Sequence, residues 1–301
     1  MAFLLFRLSF LIVYAAIFVP CDGLGSRVEK LCKKRMETME KDGEHMTSCP
    51  ILVAYPNVFM KEKAVAISGV DVMRDIQTMG DENDNVLALD VMIDDHEEWM
   101  GKIQTLENTF GTNRVEYDQL VELTVMPFNL ETDIVKDATT LDGRRRLQQE
   151  FTPWGITMVQ AAQVEPPKLD PGQHPLQVCV IDTGYGMGHT DLPDSVNHGV
   201  FGLNTNSDSI SWDVDQNGHG THVAGTIGAI GGNGIGITSV VPDPNTYQLM
   251  IGKAFGPSGT SSLSNILSSM VFCANNGANV ISMSFRMGYS PTAERFFEIM
   301  Y

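Results

Sequence analysis

The hydrophobic pattern divides the chain into three stretches. Residues 8 to 19 form a nearly continuous apolar run behind Arg7, followed by Pro20, Cys21 and Gly23. Twelve residues fall short of the roughly 20 that span a bilayer as a helix, and the layout is that of a secretory signal peptide over residues 1–23. An uncleaved anchor is the alternative reading. From about Leu24 to Arg146 charged residues are frequent and strand-like segments alternate with helix-like ones. Ile51 to Tyr55 and Asn85 to Ile93 have the length and apolar content of strands. Asp94 to Phe110 places Trp99, Met100, Ile103 and Leu106 at helical spacing, with Asp94 and Asp95 as cap candidates. Val115 to Val125 alternates as a strand does.

Beyond residue 147 the runs become shorter and more apolar. Gln177 to Ile181 is rich in valine and isoleucine, the signature of a strand buried on both faces. Val223 to Ile230 predicts a small-residue helix, and Tyr247 to Ala254 a strand. Ser264 to Ala274 predicts a helix through Ile266, Leu267, Met270 and Val271, and Asn279 to Ser284 a further strand. Strand, helix and strand at this spacing predict an α/β fold with a right-handed crossover in a parallel sheet. Asn197 to Asn217 is polar throughout most of its length and reads as a long surface loop.

Length and charge narrow the function. At 301 residues the chain can hold two domains. A net charge of −17 argues against nucleic-acid and anionic-membrane partners, which attract basic surfaces. From residue 147 onward the basic side chains are Lys168, Lys253, Arg286 and Arg295. Secretion would permit disulfides. Cys32 and Cys49 could pair, whereas Cys179 and Cys273 read as buried free thiols. No Asn-x-Ser/Thr acceptor for glycosylation occurs.

Candidate chemistry centres on Asn217-Gly-His-Gly-Thr-His-Val-Ala-Gly-Thr226. His219 stands between two glycines where a helix should begin, and the positive end of the helix dipole favours the neutral ring that a general base needs. His219 and His222 could instead bind zinc, although the HExxH spacing is missing. Asp182 ends the apolar strand, at the carboxyl edge where open α/β sheets place their sites. Aspartate before histidine is the subtilisin order of a catalytic triad. Asp182-Thr183-Gly184 taken alone also reads as an aspartic-protease motif, but a second copy is absent.

Three ordered blocks strengthen the triad reading. Asp182 continues through Gly184, His189, Asp191 and Leu192, the histidine block follows, and Ala278-Asn-Val-Ile-Ser-Met-Ser284 comes last. Together they resemble the subtilase family of serine proteases. The resemblance implies a subtilisin-like parallel sheet flanked by helices over residues 147–301, with Asp182 and His219 as catalytic residues. Gly259, Thr260, Ser261, Ser284, Phe285 and Arg286 would flank an extended peptide substrate. Phe285-Arg286-Met287 departs from the Leu-Gly-Gly usual in the family, so Arg286 would narrow the entrance or favour acidic groups. The loop Gly231 to Ile237 is similar to a subtilisin calcium loop, with Asp191, Asn233 and the carbonyls of Ile235 and Ile237 as ligands; a metal-free glycine turn is the alternative.

Residues 24–146 resemble the small ferredoxin-like α+β prodomain that inhibits these enzymes, or form an unrelated acidic domain. Arg144-Arg145-Arg146 would be a processing site ahead of Thr152-Pro-Trp-Gly-Ile156, which is similar to a mature subtilase start. The family's oxyanion-hole asparagine block and its Gly-Thr-Ser-Met-Ala block do not occur in the 301 residues. The resemblance therefore implies a secreted precursor, truncated at its C-terminus and inactive alone, with its own prodomain and polypeptide substrates as partners. After signal removal no membrane contact is expected. A pseudoprotease or prodomain-type inhibitor is the alternative.

Overall fold

The computed structural model describes residues 27–42, 46–69, 72–77, 85–93, 96–124, 150–164 and 175–300. The candidate signal segment, the cap candidates Asp94 and Asp95, and Arg144 to Arg146 lie outside them. In chain order the helices are α1 (Arg27–Lys41), α2 (Val58–Ser68), α3 (His96–Phe110), α4 (Trp154–Met158), α5 (His219–Gly228), α6 (Leu263–Asn275) and α7 (Pro291–Met300). The strands are β1 (Ser48–Tyr55), β2 (Val72–Ile76), β3 (Asn85–Met92), β4 (Val115–Tyr117), β5 (Leu120–Leu123), β6 (Leu176–Asp182), β7 (Phe201–Asn204), β8 (Tyr247–Lys253), β9 (Thr260–Ser262), β10 (Val280–Met283) and β11 (Phe285–Arg286). They form two compact units.

One unit comprises the described residues up to Val121 together with Ser262–Ala274 and Arg286–Tyr301. Its sheet is antiparallel in the order β2-β3-β1-β4. With α2 between β1 and β2, and α3 between β3 and β4, this is a βαββαβ arrangement. Residues with period-two spacing face one core: Ile51 and Val53 of β1 pair with Leu89 and Leu87 of β3. Trp99, Ile103 and Leu106 of α3, at helical spacing, complete that core and are fully buried. Helix α2 begins at Asn57, whose side chain accepts from the Met60 amide, and ends at Gly69 in the left-handed region. A Cys32–Cys49 disulfide joins α1 to β1. The sequence pattern did not announce α1, α2 or β2.

Two carboxylates just outside and within β4 finish this unit. Asp118 accepts from the amide and hydroxyl of Ser264 at 2.9 and 2.6 Å, at the start of α6. Glu116 accepts from the Ser290 hydroxyl at 3.0 Å and the Thr292 amide at 2.9 Å, at the start of α7. Both carboxylates are buried against the positive ends of helices, where negative charge is favoured.

The second unit comprises Glu122–Ser261 and Asn275–Phe285 among the described residues. Its sheet is parallel, in the order β10-β6-β8-β7, so β6 lies inside with a partner on each side. Val180, Leu249 and Ile251 share a core with Ala224 of α5, Tyr185 and Tyr247. The expected α/β class is what the structure has. Strands β8 and β10 lie in this one parallel sheet, with β6 between them. In detail the structure differs from expectation in three places. The expected surface loop 197–217 contains β7, four residues that pair with β8. Helix α5 begins at His219, four residues before the apolar run. Cys179 and Cys273, expected as free thiols, are both buried and disulfide-bonded.

Candidate active site

Asp182 is the last residue of β6 and is fully buried. His219 is the first residue of α5. Its Nδ1 lies 2.8 Å from Asp182 Oδ1 and 2.9 Å from Oδ2, across 37 residues of sequence. The Thr183 amide donates to Asp182 Oδ1 at 2.7 Å, which fixes the carboxylate from the other side.

Glycine makes this approach possible. Gly218 precedes α5 with φ +93, a conformation that side chains resist. A Cβ on Gly220 would lie 2.4 Å from the Gly184 carbonyl oxygen, so only glycine lets the helix come this close to the turn after Asp182. Asp215 anchors the helix start. It accepts from the amides of Asn217, Gly218 and Thr221 and from the hydroxyls of Thr183 and Thr221.

Beside the helix start, the structure sets other influences on the imidazole. Its pKa is raised above the ordinary 6.5, chiefly by the hydrogen bond to Asp182. Burial opposes the shift, while the charge of Asp182, the backbone of Thr124 and the charge of Asp215 add to it. A His219–His222 zinc site gains no support: among the described residues no group of three His, Cys, Asp or Glu could hold a metal.

The substrate candidates are spread more widely. Gly259 and Ser284 take up the segment before residue 125, for the Leu123 amide donates to the Gly259 carbonyl at 3.1 Å and the Thr124 amide to the Ser284 carbonyl at 3.2 Å. Thr260 is exposed and its hydroxyl meets Ser258 at 2.8 Å. Ser261 is buried, its hydroxyl donating to the Ala254 carbonyl. Phe285 is buried against Phe255, with ring centroids 5.4 Å apart. Arg286 belongs to the other unit and is exposed.

Around the glycine loop, Asn233 donates to Asp191 Oδ1 at 2.8 Å and the Ile237 amide to Oδ2 at 2.9 Å. The Ile235 amide donates to Asn233 Oδ1 at 2.9 Å. Glu150 adds a second carboxylate by accepting from the Gly232 amide at 2.7 Å. Both Asp191 carboxylate oxygens and the Asn233 side-chain oxygen therefore accept from amide donors of this loop.

Sequence reading missed Asp215, Glu150 and Thr124. Asp215 was the most accessible of them: it lies four residues before His219, at capping distance once α5 is known to start there.

Comparison with known proteins identifies the region that carries this geometry. Residues 174–295 match the subtilase family. Over 135 residues the chain is 35% identical to subtilisin DY of Bacillus licheniformis, covering 45% of either protein. It is 30% identical over 153 residues to subtilisin-like protease 1 of Plasmodium berghei, covering 44% of this chain and 25% of that protein. The chain spans less than half the length of the curated relatives it matches. Fervidolysin of Fervidobacterium pennivorans, a keratinolytic enzyme related to subtilisin, shares the fold. Its TM-score is 0.54 at 21% identity, over 84% of this chain and 38% of that one. So does the epidermin leader peptide processing serine protease of Staphylococcus aureus, with a TM-score of 0.51 at 18% identity over 85% and 57%.

Proposed function

We propose that the chain is the dyad-bearing portion of a secreted, subtilisin-like serine endopeptidase precursor. The observation that carries this reading is the contact between a buried carboxylate ending an inner parallel strand and an imidazole starting a helix, 2.8 Å apart. In the whole enzyme His219 accepts the proton of a serine hydroxyl and returns it to the leaving amine. Asp182 holds the Nδ1–H tautomer and stabilises the imidazolium. Polypeptide would bind as an added strand beside Gly259 and Ser284, through main-chain hydrogen bonds that tolerate many sequences.

Residues 1–23 are proposed as signal peptide, 24–146 as propeptide and 147–301 as catalytic region. Leu123 and Thr124 support the chain's own propeptide as a partner, because their amides already use the carbonyls of Gly259 and Ser284. Thr124 also brings its backbone to His219. Calcium would be held by Asp191, Asn233 and the carbonyls of Ile235 and Ile237, with Glu150 alongside. It would supply positive charge that stiffens the loop. Among the described residues no helix is long and apolar enough to cross a membrane.

The test is expression from the full-length transcript, followed by fluorophosphonate labelling and casein hydrolysis. Labelling of a serine in a Gly-Thr-Ser-Met-Ala context, abolished by His219→Ala, is expected. A stop codon directly after Tyr301, with no labelling and no hydrolysis, would overturn the reading.

A further inference from the structure

Lys253 is fully buried, and the proposed mechanism gives it no role. It ends β8 directly beside Asp182 at the end of β6. Burying an ammonium is costly unless its protons find acceptors. Lys253 Nζ donates to the Thr183 carbonyl at 2.7 Å and to the Val214 carbonyl at 3.0 Å.

Those two carbonyls belong to the two segments that carry the dyad. Thr183 follows Asp182, and Val214 precedes Asp215, the carboxylate that holds the first turn of α5. The same segments are tied by Thr183 to Asp215 at 2.8 Å, Gly220 to Thr183 at 2.9 Å and Tyr185 to Trp212 at 2.9 Å. Lys253 is itself fixed, since its carbonyl accepts from the amides of Thr205 and Asn206 at 2.9 and 3.1 Å. Packing alone would be met by methionine. Reaching two carbonyls on separate segments takes a compact head with three donors.

We propose that Lys253 is a positioning residue: its ammonium clamps the turn after Asp182 to the segment before His219 and so holds the carboxylate against the imidazole. The proposal rests on the reading of Asp182 and His219 as a base and its orienter. The charged groups bearing on His219 are Asp182 and Asp215, with Lys253 beneath Thr183.

The sign of one measurement separates a clamp from a mere charge. Removing a nearby cation raises a histidine pKa, whereas loosening the Asp182 hydrogen bond lowers it. The His219 titration and the Nδ1 proton resonance would be followed by NMR in the 301-residue chain, its Lys253→Met variant and Leu249→Ala. Leu249 is a buried core residue on the same strand and controls for simple destabilisation. In Lys253→Met the His219 pKa should fall by about one unit or more and the downfield Nδ1 proton should be lost. Leu249→Ala should leave both in place. A folded Lys253→Met with an unchanged or raised pKa would overturn the clamp. Should that variant not fold, Lys253→Gln replaces it, with an intermediate fall expected and no fall overturning the proposal. An ordinary His219 pKa in the unmodified chain would instead remove the dyad reading, and the clamp with it.

Discussion

Asp215 accepts both donors of Thr221, the amide at 2.9 Å and the hydroxyl at 2.6 Å. It thereby caps α5, whose first residue is His219. Burial pushes the Asp215 carboxyl up, but the hydrogen bonds of Thr221, Gly218 and Thr183 outweigh it and hold the pKa below its ordinary 3.8. A depressed carboxylate stabilises the fold above its unfolded pKa, and that contribution is lost as pH falls through the folded value. Asp215→Ala should cost about 1–2 kcal/mol at neutral pH, the scale of a lost helix cap, and less at pH well below 3.8. Denaturant melts at the two pH values check this; an equal loss at both would rule out the charge as its origin.

His219 titrates in the opposite sense. Its raised pKa makes the pair with Asp182 stabilising below the ordinary histidine value of 6.5, and that contribution fades as pH rises through the folded pKa. A base must be neutral, so in the endopeptidase proposed above catalysis should be lost as pH falls through that same raised value. Asp182→Asn should bring the His219 pKa down, because it removes the largest cause of the shift. A two-dimensional NMR titration of the imidazole reads the direction. A rise on substitution would contradict the assignment of Asp182 as its partner.

Asp118 concerns stability rather than chemistry. Its carboxylate is the cap of α6, and burial raises its pKa against the opposing hydrogen bonds of Ser264. Asp118→Ala leaves the Ser264 amide and hydroxyl buried without this acceptor, at a cost of roughly 1–3 kcal/mol. Asp118→Asn keeps one acceptor oxygen and should cost less. Thermal denaturation of the two variants orders them; Asn as damaging as Ala would mean that the charge, not the acceptor, is what α6 requires.

Legibility in the sequence followed locality. Asp182 ends an apolar strand and His219 lies in a ten-residue block, so both were readable where they stand. Asp118 and Ser264 are 146 residues apart, and nothing near Asp118 announces a helix end that far along the chain. Strand β7 was lost in a polar loop because a four-residue edge strand has too few positions to alternate. Helix α1 was lost for a different reason: lysines and glutamates dominate its sequence, and its burial rests on Val28 and Cys32. The rise of the His219 pKa was not legible, because the helix start was seen and the geometry of Asp182 and Asp215 was not.

Gly236 tests the loop proposed for calcium. Its φ is +62, and a Cβ there would lie 2.0 Å from Asp191 Oδ2. That oxygen accepts from the Ile237 amide, so Gly236→Ala must displace the carboxylate as well as strain the backbone. The unmodified chain should melt higher with millimolar calcium than with chelator, since a ligand that binds only the folded state stabilises it. Asp191→Asn removes the buried carboxylate and should abolish the calcium-dependent increment. Gly236→Ala should lower the melting temperature in chelator and abolish the increment too. A calcium response retained in Asp191→Asn would place the cation elsewhere. The lowered melting temperature of Gly236→Ala in chelator follows from the close approach of Asp191 alone, whatever the metal does.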